Sequence, residues 1–293
     1  MNPLLAAWLC WAVVGLSPVV GRYAAPLIHP VLLVFLGSLL AGASFAPYLT
    51  KKAQWGVLLA KENRLPFLFI GTFGTAFSFS ILLWALHFTT PANAAILQQS
   101  ELIYSLLIAF LFLKEVPSRG QIGASLLILA GSVLILLKEP YSARWTGDLM
   151  IIGSTWMLQA ASCVAKKLSA RVDPCVIAAA RNFYALPALG GILLYVFVRG
   201  GLYFQPDLTS ASIIFYTGIF KYALAMIWWY YAIHKLHLAK VTAIYLSYPV
   251  LSFVLSILLG LEKPYFYQFA GLAFTLAGAY CLTRITQKEQ EKL

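Results

Sequence analysis

Three ionisable side chains stand well inside long apolar runs of this chain: Glu101, Arg181 and Lys221. A charge at the middle of an apolar, membrane-like layer costs about 2.5–3.5 kcal/mol, so such a group is kept for use or for pairing. Glu101 can bind an amine, carry a proton or pair with a cation; Lys221 can hold a carboxylate. Neither has an opposite charge on its own run, so pairing with each other or with a ligand is expected. Arg181 lies seven residues into its run, close enough to an edge for its long side chain to snorkel, and is read first as structural.

Neighbours at helical spacing extend these points into faces. Ala94, Gln98, Glu101 and Ser105 are spaced four, three and four apart, which puts them on one stripe. Thr217 precedes Lys221 by four and Trp228 follows it by seven. Trp11 and Trp156 occupy matching places in the two halves of the chain, and Gln159 follows Trp156 by three. Tyr245 and Tyr248 fall opposite Gln98 and Glu101 under the repeat described below. The expected binding set is therefore Trp11, Gln98, Glu101, Trp156, Gln159, Lys221, Trp228, Tyr245 and Tyr248. Aromatic rings, amides and two opposite charges suit a zwitterion with an apolar side chain. The competing reading is that these polar faces only tie helices together.

Catalytic and metal chemistry have little support. Cys10, Cys163, Cys175 and Cys281 make no Cys-x-x-Cys pair, and His29, His87, His234 and His237 stand at the ends of runs. His-Glu-x-x-His and Gly-x-x-x-x-Gly-Lys are both missing from the sequence, so zinc-protease chemistry and direct ATP coupling have no motif. No cofactor is expected.

The elements that must position these residues are membrane helices. The chain is 61% hydrophobic and 11% charged, against about 25% charged for an ordinary soluble domain. Ten apolar runs, from Pro3–Gly21 to Pro264–Thr283, are each near the roughly 20 residues that a helix needs to cross a bilayer. They are continuous rather than alternating, which favours helices over a barrel.

The runs repeat. At an offset of 147, Glu115, Pro117 and Gln121 recur as Glu262, Pro264 and Gln268, and Leu129-Ala130-Gly131 recurs as Leu276-Ala277-Gly278. Gly71, His87, Ala92, Ser100 and Ser105 recur as Gly218, His234, Ala239, Ser247 and Ser252. Residues 1–143 and 144–293 are thus expected to be two five-helix units, and an odd count inverts the second relative to the first. The net charge of +11 supports this topology rather than nucleic-acid binding. Fourteen Lys and Arg fall on the side of the termini and five on the other, so both termini are expected in the cytoplasm of a bacterial cell.

The run Thr90-Pro-Ala-Asn-Ala-Ala-Ile-Leu through Leu113-Lys-Glu115, then Gln121-Ile-Gly-Ala and Leu129-Ala-Gly131, resembles the EamA-type modules of the drug/metabolite transporter superfamily. Ala239 through Pro249, Gly260-Leu-Glu262, Gln268 and Leu276-Ala-Gly278 resemble a second copy. The Glu-Pro of family modules is split here between Glu101-Leu102 and Tyr248-Pro249. Pro174 and Arg181 keep a family spacing that Pro30 and Gly37 do not. The resemblance implies an all-α integral membrane protein of ten helices that moves small metabolites without ATP, often outward. The expected function is secondary transport of amino acids or related compounds across the cytoplasmic membrane, with protons as a candidate co-substrate. A nucleotide-sugar or phosphate-ester antiporter is the alternative, and an intramembrane enzyme the most distant one.

Overall fold

The computed structural model describes every residue except 86, 90, 138–143, 261–263 and 291–293. Thr90 and Glu262 of the motifs, and Lys138, Lys263 and Lys292 of the charge count, lie outside the described residues. Among those described, ten helices are long and apolar enough to cross a membrane. In chain order they are Pro3–Ala24, Pro30–Lys51, Lys61–Ala85, Ala94–Leu113, Arg119–Leu136, Trp145–Leu168, Pro174–Val198, Leu208–Lys235, Leu238–Leu258 and Phe266–Glu289. The protein is a multi-pass, all-helical membrane protein. The tenth span runs six residues past its expected end at Thr283, because Arg284 to Glu289 continue as helix beyond the apolar stretch.

Caps set several starts. Asn2, His29 and Asp173 each precede a proline that opens the first, second or seventh span, and their side chains accept from the N–H just after it, of Leu4, Val31 and Cys175. Ser118 and Gln121 form a reciprocal capping box at the fifth. Asp207 Oδ1 accepts from the Ser210 N–H at the eighth, and these bonds lower the Asp207 pKa.

Packing repeats between the halves. The fifth and tenth spans lie along each other, as do the second and seventh. The first packs on the eighth and ninth, while its counterpart, the sixth, packs on the third and fourth. The second meets the eighth, and the seventh meets the third. Exchanging the halves maps the fifth–tenth and second–seventh pairs onto themselves and the others onto one another, which fits two five-helix units about a pseudo-twofold axis.

Lipid offers no hydrophobic drive between helices, so small residues that admit close van der Waals contact hold the bundle. A Cβ on Gly71 would fall 2.6 Å from the Tyr184 carbonyl carbon, and one on its counterpart Gly218 would fall 2.9 Å from Leu40 Cβ. A Cβ on Gly271 would meet the Gly131 carbonyl oxygen at 2.7 Å, and one on Gly278 the Ala124 oxygen at 2.8 Å. The fifth and tenth spans are therefore in backbone contact at both levels.

The irregularities repeat too. The third span contains a π-helical segment, Thr72–Phe77, and the eighth contains Tyr216–Leu224. Shifted by 147, the first falls on 219–224, inside the second. The fourth span breaks between Pro91–Gln98 and Ser100–Leu113, and the ninth between Leu238–Leu246 and Pro249–Leu258. Tight i→i+3 bonds cross both breaks, Leu102 N to Gln99 O in one and Tyr248 N to Tyr245 O in the other. Pro249 opens the second segment of the ninth span, since proline brings no N–H and fits a first turn.

Candidate functional site

A cavity of about 450 Å³ lies at the centre, walled by the first four spans and by the sixth to ninth. It extends from mid-bundle to the end that carries Ala25 and Ile28, between the first and second spans. Among the described residues, three acidic or basic side chains line it, Glu101, Arg181 and Lys221. The remaining wall is mainly apolar and aromatic, with Phe79, Tyr222, Met226, Trp229, Tyr245 and Tyr248.

Glu101 sits two residues past the break in the fourth span and is 9% exposed. Gln159 of the sixth span, fully buried, donates from Nε2 to Glu101 Oε1 at 2.7 Å. A hydrogen bond to a charged group of this kind stabilises by about 1.5–3 kcal/mol. Gln98 lines the cavity one turn away, and Trp229, Tyr245 and Tyr248 form an edge-to-face ladder with centroids 5.2 and 6.0 Å apart. Gln98, Glu101, Lys221, Tyr245 and Tyr248 of the expected set thus line one space, and Gln159 reaches it through Glu101.

Ser105 and Ser252 end the stripe as helix ties, not cavity groups. Ser105 Oγ donates to its own helix at Leu102 O, and Ser252 Oγ donates across to Gly15 O at 2.7 Å.

Three expected residues lie elsewhere. Trp156 is 46% exposed on the outside of the sixth span. A step of three residues leaves about 60° between it and Gln159, enough to carry the larger ring off a narrow buried stripe. Trp11 shares a face with Gly15, which is pressed onto Leu251 of the ninth span. Its ring packs near Ile135, Val250 and Phe253, away from the cavity. Trp228 misses the cavity by one position, and Trp229 takes the place. The cause is the π segment: its wider turns rotate the inward face, which runs from Lys221 through Met226 to Trp229, so a spacing of seven becomes eight.

Arg181 does not snorkel. Its Nε donates to Thr75 Oγ1 at 2.7 Å, its Nη2 to Gly74 O at 2.8 Å, and its Nη1 contacts Met226 Sδ at 2.8 Å. The guanidinium is bolted to the π segment of the third span. Nor do Glu101 and Lys221 pair: Glu101 is held by Gln159, while Lys221 Nζ lies 5.7 Å from the ring centre of Tyr222. Their elements are held apart by the intervening cavity, which both residues line.

The opposite end of the bundle is tied by charge. Glu115, after the fourth span, pairs with Lys166 of the sixth and accepts from the Leu238 N–H at 2.7 Å. Lys166 also donates to Leu236 O. Lys240 pairs with Glu289, and Gln121 Nε2 donates to the other Glu289 oxygen at 2.6 Å. Beside this cluster, burial lowers the pKa of His237. Six spans are thereby joined at the end remote from the cavity mouth. Sequence reasoning used Glu115 only as a repeat marker.

A family model, described as the EamA-like transporter family, matches residues 2–137 and again 145–284. An uncharacterised transporter of Archaeoglobus fulgidus is 26% identical over 268 residues, covering 87% of this chain and 88% of the relative. A probable terminal-alkyne amino-acid exporter of Streptantibioticus cattleyicolor is 28% identical, covering 79% and 77% respectively. One solved crystal structure superposes with a TM-score of 0.83 over 98% of both chains at 16% identity, which shows a common fold.

Proposed function

Since this chain belongs to the EamA-like transporter family, we propose that it exports amino acids or related small metabolites across the bacterial cytoplasmic membrane by alternating access between two inverted five-helix units. The observation that carries this reading is the central cavity, with Glu101 and Lys221 on its wall, reaching one end of the bundle while the Glu115–Lys166 and Lys240–Glu289 pairs tie the helices at the other. With both termini in the cytoplasm, as the Lys and Arg distribution implies, the cavity mouth faces outward and the ionic ties close the inner side. The arrangement is the outward-facing member of an alternating pair. The relative named as an amino-acid exporter supports the substrate class.

Glu101 offers a site for an amine or a proton, and the aromatic wall offers a surface for an apolar side chain. A phosphate-ester antiporter fits less well, because phosphates favour several free cations and the Arg181 donors are already engaged. Counterflow in proteoliposomes with a labelled amino-acid panel, with and without a pH gradient, tests the assignment. Saturable exchange of at least one member is the expected result; no exchange across the panel defeats it. Single-cysteine labelling from outside should reach position 207 and miss position 54, and the reverse pattern would defeat the orientation.

A further inference from the structure

The three charges that line the cavity differ in one respect. Glu101 has its hydrogen-bond partner in Gln159. Arg181 has three, in Thr75, Gly74 and Met226. Lys221 has neither a hydrogen bond nor an ion pair among the described residues; its ammonium lies 5.7 Å from the centre of the Tyr222 ring, with the like-charged Arg181 within electrostatic range. It also stands thirteen residues from the start of the eighth span and fourteen from its end, too deep to reach an interface.

A structural cation at that depth would be expected to hold an acceptor, as Arg181 does. The pseudo-twofold sharpens the contrast. Lys221 and Gly74 are counterparts at the 147 offset, both within the π segments. At the third-span π segment the cation comes from the seventh span and is spent on the Gly74 carbonyl. At the eighth-span π segment the position equivalent to Arg181 is Val34 of the second span, and the cation is carried by the π segment itself. One π segment is fastened by a positive charge, and the other presents its own to the cavity.

Resting on the transport reading above, we propose that Lys221 is the carboxylate receptor of the site and the residue that makes it select carboxylate-bearing substrates. The ammonium keeps all its donors for the ligand. Glu101, held in place by Gln159 across the cavity, receives the ligand amine with its second oxygen. The site then binds a zwitterion by both ends, without a charge of its own having to break an internal pair. The carboxylate is the required end, because a ligand lacking it leaves the ammonium unanswered, whereas a ligand lacking the amine leaves Glu101 still bonded to Gln159.

The test uses leucine, or whichever amino acid of the panel exchanges fastest, with its amide and its des-amino acid as competitors in proteoliposome counterflow. In the wild type, the des-amino acid should compete and the amide should not. Lys221→Met should lower amino-acid exchange tenfold or more and abolish competition by the des-amino acid, while Lys221→Arg should keep the preference for a carboxylate. Thermal stability of purified Lys221→Met should equal or exceed that of the wild type, since no internal bond is lost. Wild-type exchange that Lys221→Met retains with the same discrimination overturns the proposal, as does a Lys221→Met protein that loses stability in proportion to flux. Absence of exchange for every amino acid in the wild type instead overturns the transport reading on which the proposal stands.

Discussion

Gln159 Nε2 donates to Glu101 Oε1 at 2.7 Å, joining the sixth span to the fourth immediately beyond the fourth-span break. The bond gives the buried carboxyl group a partner, with the Arg181 charge within electrostatic range. Gln159→Leu should leave the carboxylate unsatisfied and lower stability by about 1.5–3 kcal/mol. Glu101→Gln should cost less, since an amide can still accept from Gln159. Because Glu101 and Lys221 do not touch, the stability changes of Glu101→Gln and Lys221→Met should add within about 0.5 kcal/mol. Denaturation of the singles and the double in detergent reads all of these, and a larger coupling would mean that the two charges do meet.

The Glu115–Lys166 tie should govern access from the cytoplasm. It is partly buried, so removing one partner should cost about 1–3 kcal/mol, between the surface and fully buried cases. In a background without the native cysteines, a cysteine at Ser162 on the cavity wall reports opening. Glu115→Gln should raise its reactivity toward an impermeant thiol reagent added from inside and lower it from outside. Unchanged reactivity on both sides would remove the tie from the closure of the inner end.

Contact between the fifth and tenth spans leaves no room for a side chain at Gly271 or Gly278. Gly278→Val should push Ala124 and Ile128 away and cost about 1–3 kcal/mol or more, with loss of folded protein on size exclusion. Gly153→Ala, where a Cβ meets open space, is the control and should be neutral.

His29 caps the second span by accepting the Val31 N–H on Nδ1 at 3.3 Å, a role only an unprotonated nitrogen can fill. Burial lowers its pKa from 6.5. A depressed folded value means that the stabilisation is present above 6.5 and is lost as pH falls through the folded pKa. The wild type should therefore lose melting temperature between pH 7 and 5. His29→Asn, which caps without titrating, should lose less over the same range. Parallel slopes for the two proteins would count against the cap.

Composition and pattern alone determined the ten spans, their repeat and the mid-membrane residues of interest. Apolar length is a direct requirement of the bilayer, and a duplicated unit leaves its offset in residue identities. Glu101, Lys221, Tyr245 and Tyr248 were legible because isolated polar groups in apolar runs are rare. What only the tertiary structure decided was rotation and partnership. The π segments shift the inward face from Trp228 to Trp229, a change of one residue that a 3.6-residue period does not encode. Gly15 meeting Leu251 turns Trp11 toward the fifth and ninth spans, and the narrow buried stripe of the sixth span leaves Trp156 exposed while burying Gln159. Arg181 and Lys221 are each a lone cation in an apolar helix, and the sequence separates them only by depth. Their surroundings separate only when the fold brings Gly74 and Thr75 to one and sets the other on the cavity wall without a hydrogen-bond partner among the described residues, because a charge is defined by what surrounds it.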